Sequence, residues 1–290
     1  MNNTSKIEQS IAFAHKIIAH IEADILHEGQ PIIILEEYDW LREILSLLAK
    51  QTNLFESAIL LLESNMEDEA YILVRSQFNN MLWISYLSGD ENHTRVKEYF
   101  YEPMITQYLQ FGHILSYLKT LSPNTPHYEK FKSLDTKKIK EIRKSIKTIL
   151  QSEHYNIDDL KSKSIFSLTQ KDPGLLGMYL SFYNDASKFE HADISTVKKY
   201  RSSAAPDVDT NTAFILDLSK SDISKWKTVF SQAIHILFTA INELYDRLKK
   251  RDSHLFDFEQ FEEAGFSSAI LNLKILSDLV DSIQIVEEGQ

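Results

Sequence analysis

The chain has 290 residues, 31 Lys and Arg against 42 Asp and Glu, a formal charge of −11, and no cysteine. The missing cysteines exclude disulfides, thiolate metal sites and a thiol nucleophile. Only 7 Gly leave little material for phosphate-cradling loops or the tight turns of a many-stranded sheet. At 43% hydrophobic and 25% charged, this is the balance of a globular protein. No run of 18 apolar residues and no cationic leader in 1–10 are present, so no membrane partner and a cytoplasmic location are expected.

Apolar residues recur at helical spacing along most of the chain. Ile7, Ile11, Ala14, Ile18, Ile21 and Ile25 form one stripe, which predicts a helix over about 4–27, closed by Gly29 and Pro31. A second long helix follows from Trp40, Ile44, Leu48, Phe55, Ile59 and Leu62, with loosening expected near Thr52 and Asn53. In the third, about 67–88, the apolar residues cover nearly the whole circumference, and such a helix belongs in the centre of a bundle. The fourth, about 92–121, contains Pro103, which predicts a kink or break near Glu102.

After a loop at 122–126 comes a basic amphipathic helix, about 136–151, striped by Ile139, Ile142, Ile146 and Ile149. Asp172-Pro173-Gly174 opens a helix through about His191, and 201–212 reads as a mobile loop. A short extended piece is expected over 213–218. Ser221 is the expected N-cap of a long helix striped by Trp226, Phe230, Leu237, Leu244 and Leu248, and a last helix spans about 267–283. The fold class is therefore all-α, with long antiparallel helices packed around the central third one. The domain expectation is a bundle over 1–250 and a helical extension over 251–290.

Several groups of residues bear on chemistry. Between Lys130 and Lys147 stand eight cations and two acids, a local +6 against −17 elsewhere. Lys137, Lys138, Lys140, Arg143, Lys144 and Lys147 are the candidates for an anionic ligand, an acidic partner or RNA. The competing account is a solvated helix face. His20, Asp24 and His27 share one helical face at metal-ligand spacing, but that face is the polar one; no metal and no cofactor are expected. Arg247 to His254 matches the short Arg-x(4–6)-His signature of the HEPN superfamily of helical, metal-independent ribonucleases. Leu248 stands where that family has a small polar residue, and so short a motif recurs by chance.

The third helix carries a stronger signal. Arg75 and Asn79 lie one turn apart on a helix that is otherwise apolar on all sides, and a buried guanidinium must find an acceptor. A second polar cluster, Tyr183, Ser187, Glu190 and His191, interrupts another apolar stretch. The expected contact joins Arg75 to Glu190 or to the Ser187 hydroxyl. The candidate catalytic residues are accordingly Arg75, Asn79, Ser187, Glu190 and His191.

Ala70, Leu73, Arg75 and Tyr86-Leu87, followed much later by Tyr183, Ser187 and His191, resemble the pattern of an uncharacterised family of helical bacterial proteins, a domain of unknown function. The resemblance spans about 51–199 and departs at Asn79, where the family often has Glu. It implies a helical fold and a polar centre, without a reaction. Two functions fit these residues. The favoured one is a non-catalytic interaction or oligomerisation module, with a homodimer expected from the aromatic-rich fourth helix (Tyr99, Phe100, Tyr101, Tyr108, Phe111). The alternative is a HEPN-like ribonuclease or nucleotide-processing enzyme in a toxin or phage-defence setting, in which Arg75 and His191 meet in a cleft.

Overall fold

A computed structural model describes residues 3–34, 38–90, 94–121, 136–170, 172–190, 200–205, 213–216, 222–251 and 265–285. The class is all-α, with one two-stranded ribbon. The chain divides into two compact units, 1–89 with 168–290, and 90–167.

In the first unit, α1 (Asn3–His20) runs on into a widened π turn, Ile21–Ile25. The helix α2 (Asp39–Glu63) is unbroken at Thr52. There the buried Thr52 hydroxyl donates to the Leu48 carbonyl at 3.0 Å, so the side chain is satisfied within the helix and nothing loosens it. Next comes α3 (Glu67–Ser88), which packs against α2, against the long C-terminal helix and against the 184–190 helix. Partners on three sides account for its all-round apolarity. Phe78, Met81, Ile84 and Leu87 are fully enclosed, beside Trp40, Phe55 and Phe230. Polar groups also sit inside this core, and Asn80 donates to the Leu47 carbonyl at 2.7 Å and to Gln51 at 2.9 Å.

The second unit is built on α4 (Thr94–Thr120) and α5 (Thr136–Ser152). They run antiparallel: Lys97 pairs with Glu153, Tyr101 meets Tyr155, and Ile105 and Tyr108 pack on Ile146 and Leu150. α4 continues through Pro103 without a break. Pro103 is on the exposed side, where its ring does not have to be packed against the core and the helix tolerates the donor it lacks. A short helix, α6 (Ile165–Thr169), spans the return to the first unit.

Back in the first unit, α7 (Pro173–Met178) starts with Asp172 as N-cap, its carboxylate accepting from Gly174 at 2.7 Å and Leu175 at 3.1 Å. A π turn, Tyr179–Tyr183, leads into α8 (Asn184–Glu190). At the head of the expected loop, β1 (Arg201–Ser203) pairs antiparallel with β2 (Phe214–Leu216); 206–212 lie outside the described residues. The long α9 (Ile223–Arg251) is capped by Asp222, whose carboxylate accepts from Ser224 at 2.9 Å and Lys225 at 3.3 Å; Ser221, the expected cap, lies outside the described residues. Finally α10 (Ser267–Asp281) lies against α1 and α9. Gly265 permits that approach, because a β-carbon there would stand 3.2 Å from the Asp24 carbonyl. No helix among the described residues is long and apolar enough to cross a membrane.

Candidate functional site

Helical periodicity puts Asp68, Tyr71, Arg75 and Phe78 on one side of α3, and that side faces α8. The π turn before α8 ends at Tyr183, and Glu190 follows two helical turns later on the same face. Both reach Arg75. One terminal nitrogen of Arg75 donates to the Tyr183 hydroxyl at 2.9 Å, and the other is ion-paired with the Glu190 carboxylate. The guanidinium carbon also stands 4.7 Å from the centroid of the Tyr183 ring, a cation–π contact. The Arg75 side chain is only 16% exposed, while that of Glu190 is 41% exposed.

The expected contact between Arg75 and the 183–191 segment is therefore present, and Glu190 is its anion. Ser187 is not part of it: its hydroxyl donates to the Tyr183 carbonyl at 2.8 Å, a bond within the helix. No bond joins Asn79 to Arg75, and the Asn79 amide oxygen is buried without a hydrogen-bond partner among the described residues. His191 lies outside the described residues.

An aromatic strip fills the α3–α8 seam. Phe78 meets Phe182 edge-on at 5.1 Å and Tyr183 at 5.6 Å, while Tyr71 meets Phe189 at 5.6 Å. Burial, reinforced by the Asp185 carboxylate, pushes the Tyr71 hydroxyl up to about 12. It stays protonated near neutrality and offers no phenolate base. At the far end of the strip Asp68 pairs with Lys225 of α9 and accepts from the Tyr200 hydroxyl at 3.2 Å. The Lys225 ammonium lies 3.6 Å from the Phe189 ring centroid. Two ion pairs thus close the two ends of an aromatic seam, one tying α3 to α8 and the other tying α3 to α9.

Sequence reasoning missed the second pair and the Tyr183 hydroxyl. Asp68 looked like an ordinary first-turn acid on α3, and Lys225 sits in the first turn of α9, where nothing marks it as a partner.

The remaining candidates stand apart from this seam. Arg247 is 6% exposed, donates to the Leu87 and Ser88 carbonyls at 2.7 and 3.1 Å, and lies 3.7 Å over the Trp40 ring. It caps the C-terminus of α3. His254 is outside the described residues. His20 is held by Asp24 at 2.6 Å and by the Gly265 carbonyl at 3.1 Å, and no metal-holding group of three His, Asp or Glu occurs among the described residues. A cavity of about 750 Å³ in the first unit is walled by Ile11, His15, Leu62, Glu63 and Trp226, and shares no residue with the seam.

On α5, in the second unit, Lys137, Lys138, Lys140, Lys144 and Lys147 are exposed. This is the outcome expected of a helix whose single Ile stripe buries one face. Arg143 is spent inward: its Nε donates to the Tyr108 carbonyl at 3.2 Å and its guanidinium lies 4.0 Å over the Tyr108 ring. Gly112 makes room for it, since a β-carbon there would stand 3.3 Å from a terminal nitrogen of the Arg143 guanidinium.

The chain belongs to a family of unknown function, DUF5677, whose model matches residues 43–207. That span runs from within α2 through α8 and so contains both sides of the Arg75–Glu190 pair and the basic helix. No curated protein and no solved structure matches the chain.

Proposed function

We propose that this protein is a non-catalytic helical interaction module, working in the cytoplasm, in which Arg75, Glu190 and Tyr183 form a structural clamp. The observation that carries this reading is the state of Arg75. Its side chain is 84% removed from solvent, and both terminal nitrogens already have acceptors on α8. A ribonuclease arginine must offer its donors to the phosphate charge that develops in the reaction. Here the neighbouring carboxylate neutralises the guanidinium before any substrate arrives.

The same reading extends to assembly. Phe100, Ile114 and Tyr117 are exposed along α4, and the α4 surface offers apolar area for an isologous homodimer, the commonest soluble assembly. The competing reading is a HEPN-like ribonuclease in a toxin or phage-defence setting. One observation favours it: Glu190 is 41% exposed, so the outer rim of the clamp meets solvent.

Incubation of the full chain and of His191→Ala with total RNA separates the two. The module reading expects the RNA to stay intact with both proteins. Cleavage by the parent chain that His191→Ala abolishes establishes the ribonuclease instead.

A further inference from the structure

The two units differ in charge. Residues 90–167 hold 13 Lys and Arg against 10 Asp and Glu, leaving 18 against 32 for the rest of the chain. The positive charge of the second unit is concentrated on α5, which carries six cations and one acid, Glu141. Lys137, Lys140, Lys144 and Lys147 are spaced by three, four and three residues, which aligns them on one side of the helix. All four are exposed, and none is ion-paired among the described residues.

We infer that this lysine stripe is a binding surface for the phosphate backbone of a nucleic-acid duplex. From Lys137 to Lys147 the helix rises about 15 Å. A duplex carries one negative charge per about 1.7 Å of its axis, counted over both strands, so a helix of that length lies within reach of several phosphates. The stripe supplies four ammonium groups. No aromatic side chain interleaves them, which removes the stacking platform that single strands use. A lipid surface does not fit either, because the apolar side of α5 (Ile142, Ile146, Leu150) is already packed on α4. Arg143, bound to Tyr108 on the inward flank, fixes the rotation of the helix and leaves the lysines outward. Contacts of this kind read the backbone and not the bases, so binding is independent of sequence and strongly salt-dependent.

This inference rests on the reading of the protein as a binding module and names its partner. Its test is fluorescence anisotropy of the full chain with a labelled 20-base-pair RNA duplex and a DNA duplex of arbitrary sequence, with gel analysis of the same samples. Four phosphate contacts predict a log–log salt slope of about −3.6, or roughly a 150-fold loss of affinity between 50 and 200 mM salt. The variant Lys137→Gln/Lys140→Gln/Lys144→Gln/Lys147→Gln, checked for fold by circular dichroism, is expected to lose binding. Lys16→Gln/Lys50→Gln, which removes exposed cations of the first unit, is expected to keep it. The two duplexes show whether RNA or DNA is preferred, and binding to either supports the surface. Absence of binding to both at 50 mM salt overturns it, as does equal binding by the quadruple variant or equal binding of poly-glutamate. Those failures leave the module reading standing. Binding accompanied by cleavage supports the surface and overturns the non-catalytic reading.

Discussion

Glu190→Gln keeps the shape of the side chain and one acceptor oxygen while removing the charge opposite Arg75. Breaking a fully buried ion pair from one side costs about 3–5 kcal/mol, and an exposed pair contributes about 0–1. With Arg75 16% and Glu190 41% exposed, the expected loss lies between those limits, about 1–2 kcal/mol. Arg75→Met removes in addition the bond to Tyr183 and the cation–π contact, for a loss of about 2–3 kcal/mol. The double variant no longer leaves a charge without its partner, so the cycle is expected to show a coupling energy of about 1–2 kcal/mol. Urea unfolding followed by tryptophan fluorescence is the assay. Trp40, Trp83 and Trp226 all lie in the unit that holds the clamp, so the signal reports that unit. Additive single losses, with coupling below about 0.3 kcal/mol, refute the reasoning.

Three further perturbations follow from the same structure. Arg247→Met strips the C-terminal carbonyls of α3 of their cation and Trp40 of its cation–π partner, and is expected to cost about 2–3 kcal/mol by urea unfolding. Burial, with Asp172 and Asp246 nearby, raises the Glu243 carboxyl above its ordinary 4.5. A raised acid destabilises the fold progressively as pH climbs past 4.5, so Glu243→Gln is expected to raise the melting temperature at pH 7 and to change little at pH 4. Burial opposes ionisation of Asp222, but bonds from Ser224 and Lys225 outweigh it and hold the carboxyl below its ordinary 3.8. Its capping contribution of about 1 kcal/mol is present above that value and fades as pH falls through the lowered one. The difference between the parent and Asp222→Ala is therefore expected to shrink in acid.

The helices were legible because burial in a bundle writes a 3.6-residue period into the sequence. The centrality of α3 was legible for a related reason, since apolar residues on every side require partners on every side. Arg75 announced its partner segment because a permanent charge on such a helix needs an acceptor, and 183–191 is the other polar interruption in an apolar stretch. Local detail was less legible. Asp222 is as good a cap on paper as Ser221, and its service as one depends on where the chain turns into α9. Pro103 read as a kink or break because sequence does not show that it faces solvent. Of the two strands, Phe214–Leu216 falls within the extended piece expected over 213–218, whereas Arg201–Ser203 is too short to carry a period and read as loop. The Asp68–Lys225 pair joins residues 157 positions apart, and only the packing of α3 on α9 brings them together.

The central claim is that the Arg75 guanidinium is committed internally. The measurement that tests it most directly is hydrogen exchange of the arginine side-chain N–H groups by nuclear magnetic resonance, with Arg75 assigned by its loss in Arg75→Met. The account predicts that the Arg75 terminal N–H groups exchange far more slowly than those of exposed Arg42, and that Glu190→Gln accelerates them. Exchange as fast as at Arg42, unchanged by Glu190→Gln, contradicts it and returns Arg75 to the role of a free donor.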